Sequence, residues 1–474
     1  MPAREEMNVP LAVVSNGGSA EAPPEKPGQG AERPRSMLSD GVQTLATNLI
    51  QIVCALGSTA IIARALGPSG KGAYDLCLAT AQLIVTVCAF SLPSGLTFVV
   101  ASGAGDVRRW RTMVYWLASA IGIAGGCVLL SARALGHLNA FLPANLGLPG
   151  IAYVSLIAAS LAGAGFTRAL VVGRREFRRA NLGDVVKQGS ALLVLPAAVL
   201  VARYQPAGFQ VMVFLAVNLC ATLCAVYAYD ISLRACPRRT STLGWGTAVR
   251  FSLPAFMGNL LQFVNYRLGL YYVNAYSGTR AVGLFQTSAF LCQSLWLLPT
   301  AMAAITFPYV ANASARGQDQ SGTTALCSRL ALWSGVACAL PLGVAAPIVI
   351  PAFFGAAFRE SILMLWLMLP GTIALCPATV IAGHLAGIGR PQWNLWGAAV
   401  GAFATVALTA IMVPKYGGRG AAIAMSVSHI CNSCVLIAFF VRHSRVPLAH
   451  VLLPRGEDGA LLRHSARRVS NILR

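Results

Sequence analysis

Apolar residues run along most of the chain in stretches of about 20, separated by short polar loops. About 20 residues, at about 1.5 Å each, cross a hydrocarbon core of about 30 Å as an α-helix. A membrane barrel would show alternating segments of about 10 residues instead. The pattern predicts an all-α polytopic membrane protein with about twelve transmembrane helices, at roughly 41–65, 73–101, 111–131, 150–172, 184–203, 208–232, 250–276, 282–311, 323–353, 361–387, 392–413 and 418–441.

The second half of this pattern repeats the first at a constant offset of 211 residues. Seven identities need no gap: Asn48, Leu49, Gln51, Val53, Gly67, Gly72 and Gln82 recur as Asn259, Leu260, Gln262, Val264, Gly278, Gly283 and Gln293. A duplicated membrane unit is typical of transporters whose substrate site lies between the halves. We predict two pseudo-symmetric six-helix bundles around a central cavity, at 37–233 and 250–441, with a cytoplasmic linker at 234–249.

Composition supports a membrane protein, since 56% of the residues are hydrophobic and 11% are charged, against about 25% charged in soluble domains. The formal charge of +21 reflects topology. The amino-terminal segment, the even-numbered connections and the tail hold 24 Lys and Arg, and the odd-numbered connections hold eight. Because cytoplasmic loops carry the excess of Lys and Arg, we predict a multi-pass membrane protein with both termini in the cytoplasm.

The chain ends and the arginine clusters fit this topology. Residues 1–36 are rich in Pro, Gly, Ala and Glu without a long apolar run, which predicts a disordered cytoplasmic segment. The basic cytoplasmic tail at 442–474 holds seven arginines, and it could form a short surface helix or a solvated end. Clusters at 108–111 and 174–179 favour contact with anionic membrane lipids. The positive charge therefore predicts lipid contact and no nucleic-acid partner.

Polar residues lie along one face of the first and seventh predicted spans. Asn48 and Gln51 occupy that face in the first span, and Asn259, Gln262 and Tyr266 occupy it in the seventh. Polar amides are costly in lipid, so both faces should turn toward protein or water. Hydrogen bonding between helices is one interpretation and a shared central cavity is the other. The symmetric occurrence in both halves favours the cavity.

Basic residues enter the predicted spans, whereas all fifteen acidic residues lie in termini, loops or span ends. Arg267 is about 15 residues into the seventh span, and Arg64 closes the first. Arg168 and Lys187 lie near loop edges, where long side chains extend toward the interface. A deep arginine needs a polar cavity or an anionic partner. A cavity with cations and no deep carboxylate favours an anionic substrate.

The sequence contains no arrangement of residues that suggests an enzyme. No cluster of His, Cys and carboxylate has the spacing of a metal site, and no nucleophile has an evident base. The turn at 67–72 resembles a nucleotide-binding loop, but Gly72 stands where a Ser or Thr is required. Most of the 13 cysteines lie singly in apolar spans, where cysteine acts as a small hydrophobic residue. We predict a non-enzyme without cofactor or metal.

Four short motifs occur in order along the chain. Residues 62–68 and 72–74 read ARxLGP followed by GxY, and residues 173–181 read GxxxFxxxN. Residues 387–391 read GxGxP, and residues 416–422 read YGxxGAA. Together they resemble polysaccharide-biosynthesis membrane proteins, the Wzx-type flippases for lipid-linked oligosaccharides, within the superfamily that also holds multidrug and toxin extrusion pumps. The resemblance extends from about residue 40 to residue 441.

The resemblance implies a flippase that moves a lipid-linked anionic oligosaccharide across the inner membrane by alternating access, for surface polysaccharide biosynthesis. The candidate substrate-binding residues are Arg267, Arg64, Asn48, Gln51, Asn259, Gln262 and Tyr266. The implied partners are the lipid-linked glycan and proteins of polysaccharide polymerisation and export. The alternatives are a cation-coupled multidrug exporter of the same superfamily and a non-transporting scaffold of a polysaccharide-assembly complex. Gly269 stands where the family often has an acidic residue, so a role of that carboxylate in ion coupling does not carry over.

The predicted topology can be tested with reporter fusions. Fusions in the carboxy-terminal tail and in the connection near Arg133 should report opposite sides of the membrane, because the first is counted as cytoplasmic and the second as external. A reporter that is active only in the cytoplasm, paired with one active only outside it, provides the measurement. The same side for both fusions would rule out the twelve-span arrangement.

Overall fold

The computed structural model describes residues 37–103, 106–234 and 244–455. The predicted disordered segment at 1–36, most of the predicted linker and the tail beyond 455 lie outside these described residues. Within them the chain is helical apart from loops and three short 3₁₀ turns. The helices are α1 (Met37–Cys88), α2 (Leu92–Ala101), α3 (Val107–Ala134), α4 (Gly147–Gly173), α5 (Phe177–Ala202), α6 (Ala207–Arg234), α7 (Trp245–Ser294), α8 (Leu297–Ser314), α9 (Ser321–Phe354), α10 (Ser361–Gly387), α11 (Pro391–Ser444) and α12 (Leu448–Leu452).

Helix lengths confirm the predicted all-α membrane architecture. Eight helices of the described residues are long and apolar enough to cross a membrane, and the bent pair of α7 and α8 makes a ninth. Three of the helical tracts, α1, α7 and α11, contain 52, 50 and 54 residues. At about 1.5 Å per residue each would extend about 75–80 Å, more than twice a hydrocarbon core of about 30 Å. A single straight crossing cannot hold them, and each contains a break.

The three breaks lie at glycines with positive φ. They are Gly67 (φ 62°, ψ −179°), Gly278 (φ 72°, ψ 178°) and Gly417 (φ 56°, ψ −134°), a region that glycine adopts without a steric penalty. The chain turns back on itself at Gly417. The contact that shows this joins residues eight positions apart, since a Cβ built on Gly420 would lie 2.4 Å from the carbonyl oxygen of Met412. Each of these three helices therefore consists of two arms, one before and one after its glycine. When α2 is counted with the second arm of α1, and α8 with the second arm of α7, the helices correspond to the twelve predicted spans.

Two of the predicted spans are interrupted in the structure. The span at 73–101 breaks between α1 and α2, where Phe90 and Ser91 have φ values of 45° and 51°. The span at 282–311 bends by 47° between α7 and α8. Pro93 and Pro299 lie in the first turns of α2 and α8, where the missing proline N–H has no helical partner to lose. These prolines therefore begin new helices and do not kink continuous ones.

The two repeats meet where α1 crosses α7. A Cβ built on Gly72 would lie 1.8 Å from the carbonyl oxygen of Thr279, and one built on Gly283 would lie 2.0 Å from that of Pro68. Gly72 and Gly283 are equivalent in the repeat, as are Pro68 and Thr279, so the contact is reciprocal, as at a twofold axis. Small residues allow such close backbone approach between membrane helices. The sequence repeat is therefore a pseudo-twofold symmetry of the fold.

Buried apolar side chains form two large cores. The first gathers α1 to α6 around large side chains such as Trp110, Phe166 and Phe214. The second gathers α7, α9, α10 and α11, and it also takes side chains from α1. The second core is built around Phe285, Phe354 and Met368, with Ala63, Leu76 and Ala79 contributed by α1. Helix α1 thus belongs to both cores and joins the two halves at the crossing.

We expect Gly72→Ala to lower the stability of the protein, because the added methyl group meets a backbone carbonyl that no rotamer change can move. Overpacking costs about 1–3 kcal/mol, which exceeds the gain of about 0.5–1 kcal/mol that alanine brings to a helix. The midpoint of thermal unfolding of the detergent-purified protein measures the effect. Gly258→Ala is the matched control, since a Cβ there meets nothing within 4 Å. A midpoint that falls no further in Gly72→Ala than in this control would contradict the close crossing.

Candidate functional site

Two adjoining cavities lie between the halves of the protein. The first, of about 430 Å³, is bounded by the end of α1, the start of α2 and α7. The second, of about 270 Å³, is bounded by α1 and α7, with contributions from α4, α5 and α6. Gln82, Arg267 and Gln293 line both cavities. These three side chains therefore mark the boundary where the cavities join.

The second cavity lies on the pseudo-twofold axis. Its wall includes four pairs of repeat-equivalent residues, which are Asp75 and Gln286, Leu78 and Ala289, Ala79 and Phe290, and Gln82 and Gln293. Within each helix these positions follow the i, i+3, i+4, i+7 spacing of a single face. The second arms of α1 and α7 thus present the same face to a shared space. The sequence predicted a cavity between the repeats, and the structure has one on their axis.

The second cavity carries more positive than negative side chains. Lys71, Lys187 and Arg267 line it together with Asp75. Lys71 Nζ lies 2.5 Å from Asp75 Oδ2, and the two side chains are 3% and 16% exposed. Among the described residues, neither Lys187 nor Arg267 has an ion pair or side-chain hydrogen bond. The Lys71–Asp75 pair is neutral overall, so Lys187 and Arg267 give the cavity an excess of positive charge.

The expectation that no carboxylate reaches the depth of Arg267 was wrong for Asp75. The sequence placed the second span at 73–101, which put Asp75 at a span end near the loop. In the structure α1 resumes directly after Gly67, and Asp75 lies one turn beyond the crossing of the helices, where it lines the cavity with Arg267. The pairing with Lys71, four residues earlier, explains how a carboxylate is tolerated there.

Lys187 and Arg168, both predicted to reach toward loop edges, have different surroundings. Lys187 lines the second cavity, so its side chain extends inward and not toward the interface. Arg168 Nε lies 3.0 Å from Asp184 Oδ2, and the same carboxylate accepts a hydrogen bond from the Tyr229 hydroxyl. Arg168 is therefore part of an ion pair between α4 and α5, apart from both cavities.

The first cavity is lined by polar and aromatic side chains of α7. Asn259, Gln262 and Tyr266 line it with Arg267, as their spacing along one helical face requires. Asn259 Nδ2 donates a hydrogen bond of 2.8 Å to Ser91 Oγ at the break between α1 and α2. The structure thus brings together four of the seven candidate site residues. Their role in binding stays a prediction.

The other three candidates, Asn48, Gln51 and Arg64, line neither cavity. Arg64 Nε donates to the carbonyl oxygen of Phe353 at 3.0 Å, and its Nη2 donates to that of Ala352. These carbonyls belong to the last turn of α9, where helix ends favour cationic side chains. Arg64 therefore caps a helix of the opposite half. The sequence could not show that α9 ends beside the first span.

Sequence reasoning missed several lining residues that the structure gathers. Gln82 and Gln293 belong to the seven identities of the repeat, and that match was the signal that could have selected them. Asn218 lines the second cavity from α6, where its amide donates to the Tyr74 hydroxyl at 3.4 Å. Among the described residues no group of three or more His, Cys, Asp or Glu is placed to hold a metal ion.

Comparison with known proteins yields structural matches only. No protein-family model matches the chain, and no curated protein matches it. The inward-facing structure of a multidrug resistance MATE family transporter of the MOP superfamily has a TM-score of 0.67 at 15% identity, covering 85% of this chain and 98% of that chain. The lipid II flippase MurJ in an inward closed conformation has a TM-score of 0.71 at 13% identity, covering 86% and 89%.

A third similar structure comes from Pyrococcus furiosus Vc1. It is a MOP superfamily transporter described by a reverse polarity of its binding pocket, with a TM-score of 0.60 at 16% identity, covering 87% of this chain and 95% of that chain. At such identities the likeness establishes the fold. The chain has the all-helical fold of these MOP superfamily transporters, and none of the three structures is described as an enzyme.

Thiol labelling can test whether the two cavities hold water. Single cysteines at Gln82 and Gln293, in a background without native cysteines, should both react with a small water-soluble maleimide, because each side chain lines both cavities. A variant that keeps only Cys77, fully buried on α1, is the control and should stay unreacted. Protection of both positions under every condition of pH and salt would mean that the cavities are closed and dry.

Proposed function

We propose that this protein is a flippase that moves a lipid-linked anionic oligosaccharide across the inner membrane. The observation that carries the proposal is the cationic excess of a cavity on the pseudo-twofold axis. Two halves related by such an axis can open the same cavity alternately to either side of the membrane. The lipid carrier would remain in the bilayer while the polar head group crosses between the halves.

The unpaired cations give the cavity its preference for an anion. An arginine within a membrane span is expensive unless it faces water or an anionic group. Arg267 and Lys187 face the cavity, and the carboxylate that shares it is engaged by Lys71. A guanidinium can hold two phosphate oxygens at once with parallel hydrogen bonds, whereas the lysine acts as a point charge. This set therefore suits a phosphate or diphosphate head group.

The first cavity offers the groups that a glycan needs. Asn259 and Gln262 present amides that can donate to and accept from sugar hydroxyls. The Tyr266 and Trp296 rings, whose centroids are 5.4 Å apart, line the same wall. Aromatic faces beside amides match the alternation of apolar and polar surfaces on a sugar ring. With a volume of about 430 Å³ the cavity has room for a bound head group.

The similar structures support transport more directly than they support this substrate. One is named a lipid II flippase and another a multidrug resistance transporter. Asp75 is the observation that favours the alternative of a cation-coupled multidrug exporter, because cationic drugs and coupling ions bind carboxylates. Its pairing with Lys71, and the two remaining cations, argue for the anionic substrate. A non-transporting scaffold would have no need of a charged internal cavity.

The topology and partners of the proposal follow the charge pattern. Arg174 and Arg179 both lie within 4 Å of Glu176 in the connection between α4 and α5, at 2.8 and 2.7 Å. Beside them Arg175, in the connection, and Arg178, in the first turn of α5, add positive charge. Such a cluster would rest against anionic lipid of the inner leaflet. We assign this connection and both termini to the cytoplasm, and the polymerisation and export proteins of the pathway would receive the glycan on the opposite side of the membrane.

Substitution of Arg267 tests the anionic substrate. Arg267→Ala should abolish surface glycan and leave the lipid-linked intermediate on the cytoplasmic face, since the cavity loses the planar group that pairs with phosphate. Arg267→Lys should reduce export in part, because the charge is kept and the two-oxygen geometry is lost. Surface glycan is measured together with protein abundance in the membrane, so that loss of function is separated from loss of protein.

Arg280→Ala is the matched control on the same helix. Arg280 pairs with Glu360 at 2.7 Å, and both side chains are more than half exposed, at 57% and 54%. Exposed pairs contribute about 0–1 kcal/mol, so export should remain close to normal. Normal surface glycan in Arg267→Ala at normal abundance would remove this residue from the site.

A further inference from the structure

Three rings meet behind the wall of the first cavity. The centroids of Tyr266, Trp296 and His429 are 5.4 Å apart in each of the three pairs. Tyr266 and Trp296 line the cavity, whereas His429, on the second arm of α11, does not line it and is 2% exposed. The imidazole therefore touches the cavity wall from behind. Movement of the imidazole toward the cavity would displace one or both of the lining rings.

His429 lacks the hydrogen bonds that buried polar groups normally make. Its Nε2 is buried without a partner, although most buried side-chain nitrogens and oxygens are satisfied. His384, on α10 of the same half, is also 2% exposed, and its Nδ1 shares a hydrogen bond of 2.8 Å with Thr324 Oγ1. Both imidazoles also contact an aromatic ring. The two histidines are thus similarly buried, and His384 has a hydrogen-bond partner whereas Nε2 of His429 has none.

The ionisable groups near His429 in sequence, or on the helices packed against α11, do not supply a counter-ion. Helix α7 presents the phenol of Tyr266, followed by Arg267, which lines the cavities. Helix α10 carries Cys376, whose thiol donates to its own helix, and His384, which is already bonded. On α11 itself the nearest ionisable side chain is Cys431. Among the described residues no carboxylate forms an ion pair or hydrogen bond with the His429 ring.

We propose that His429 is a proton-binding site whose occupancy is coupled to the positions of Tyr266 and Trp296 in the cavity wall. In the closed triangle of rings the imidazole is neutral, because an imidazolium there would have neither water nor a counter-ion. A neutral imidazole has one nitrogen lone pair, and the His429 ring can accept a proton from water there only when the triangle opens. Low pH therefore favours separation of the three rings, and high pH favours their contact.

The proposed proton site controls the positions of two side chains in the cavity wall. This coupling does not depend on which molecule is transported. A proton bound at His429 would act on the wall without occupying the cavity. The substrate and the proton would then act on the same two rings from opposite sides. Because the coupling requires no particular substrate, its failure would leave the proposed anionic substrate unaffected.

The test measures the fluorescence of Trp296, taken as the difference between the parent protein and Trp296→Phe in lipid nanodiscs. The pH is varied between about 5 and 8, the range in which histidine titrates. We expect the signal to fall and shift to longer wavelength in a single-proton transition as the pH is lowered, because the open triangle exposes the indole to water and to the imidazolium. His429→Gln, which keeps a polar side chain of similar size, should abolish the transition.

His384→Gln is the matched control and should retain the transition in full. Absence of any transition in the parent protein would overturn the proposal without the need of a His429 variant. An unchanged transition in His429→Gln would overturn it as well. If His429→Gln fails to elute as a monodisperse protein, His429→Asn takes its place. Loss of the transition in His384→Gln with retention in either His429 variant would assign the proton to the other histidine.

Discussion

The close approach of α1 and α7 at Gly72 and Gly283 is the constraint on which the rest of the structure depends. Neither residue has a side chain to separate the backbones, so each helix rests on a carbonyl of the other. The crossing fixes the distance and angle of the two arms that continue past it. One to three turns further along, those arms carry the matching faces at 75–82 and 286–293 that line the second cavity.

Duplication explains the shape of the cavity, and divergence of the repeats explains its charge. Gln82 and Gln293 are identical partners on the two arms, and they contribute neutral amides from both sides. The cations have no such partners, since Arg267 corresponds to Leu56 and Lys71 to Val282. The cavity is therefore asymmetric in charge although its shape follows the repeat, because neither of these cations has a charged equivalent in the other repeat.

Much of the fold could be predicted from the sequence, because span length, loop glycines and the constant offset are local or periodic signals. The breaks within spans could not. Phe90 and Ser91 adopt left-handed backbone conformations, and they are held by contacts with α7, where the rings of Phe90 and Phe256 lie 4.7 Å apart and Ser91 accepts from Asn259. Such contacts join residues more than 160 positions apart, and periodicity carries no information about them.

The candidate site was predictable to a similar extent. One helical face on α7 placed Asn259, Gln262 and Arg267 together, because residues on one face of a helix stay together in any packing. Whether the equivalent face of the first span reaches the same space depends on its tertiary neighbours, and Asn48 does not reach it. Lys187 shows the same limit, since a residue near a predicted loop edge can point inward or outward with equal local propensity.

The cap that Arg64 places on α9 has a consequence for the cycle of any two-sided carrier built this way. It joins the two halves through a cation and two carbonyls, and its equivalent position in the second repeat is Ala275. Asn274, beside Ala275, makes a different contact between the halves, since its Nδ2 donates to the carbonyl oxygen of Asn139 at 2.9 Å. These two contacts lie close to the breaks at Gly67 and Gly278, so the halves cannot separate there unless these hydrogen bonds break.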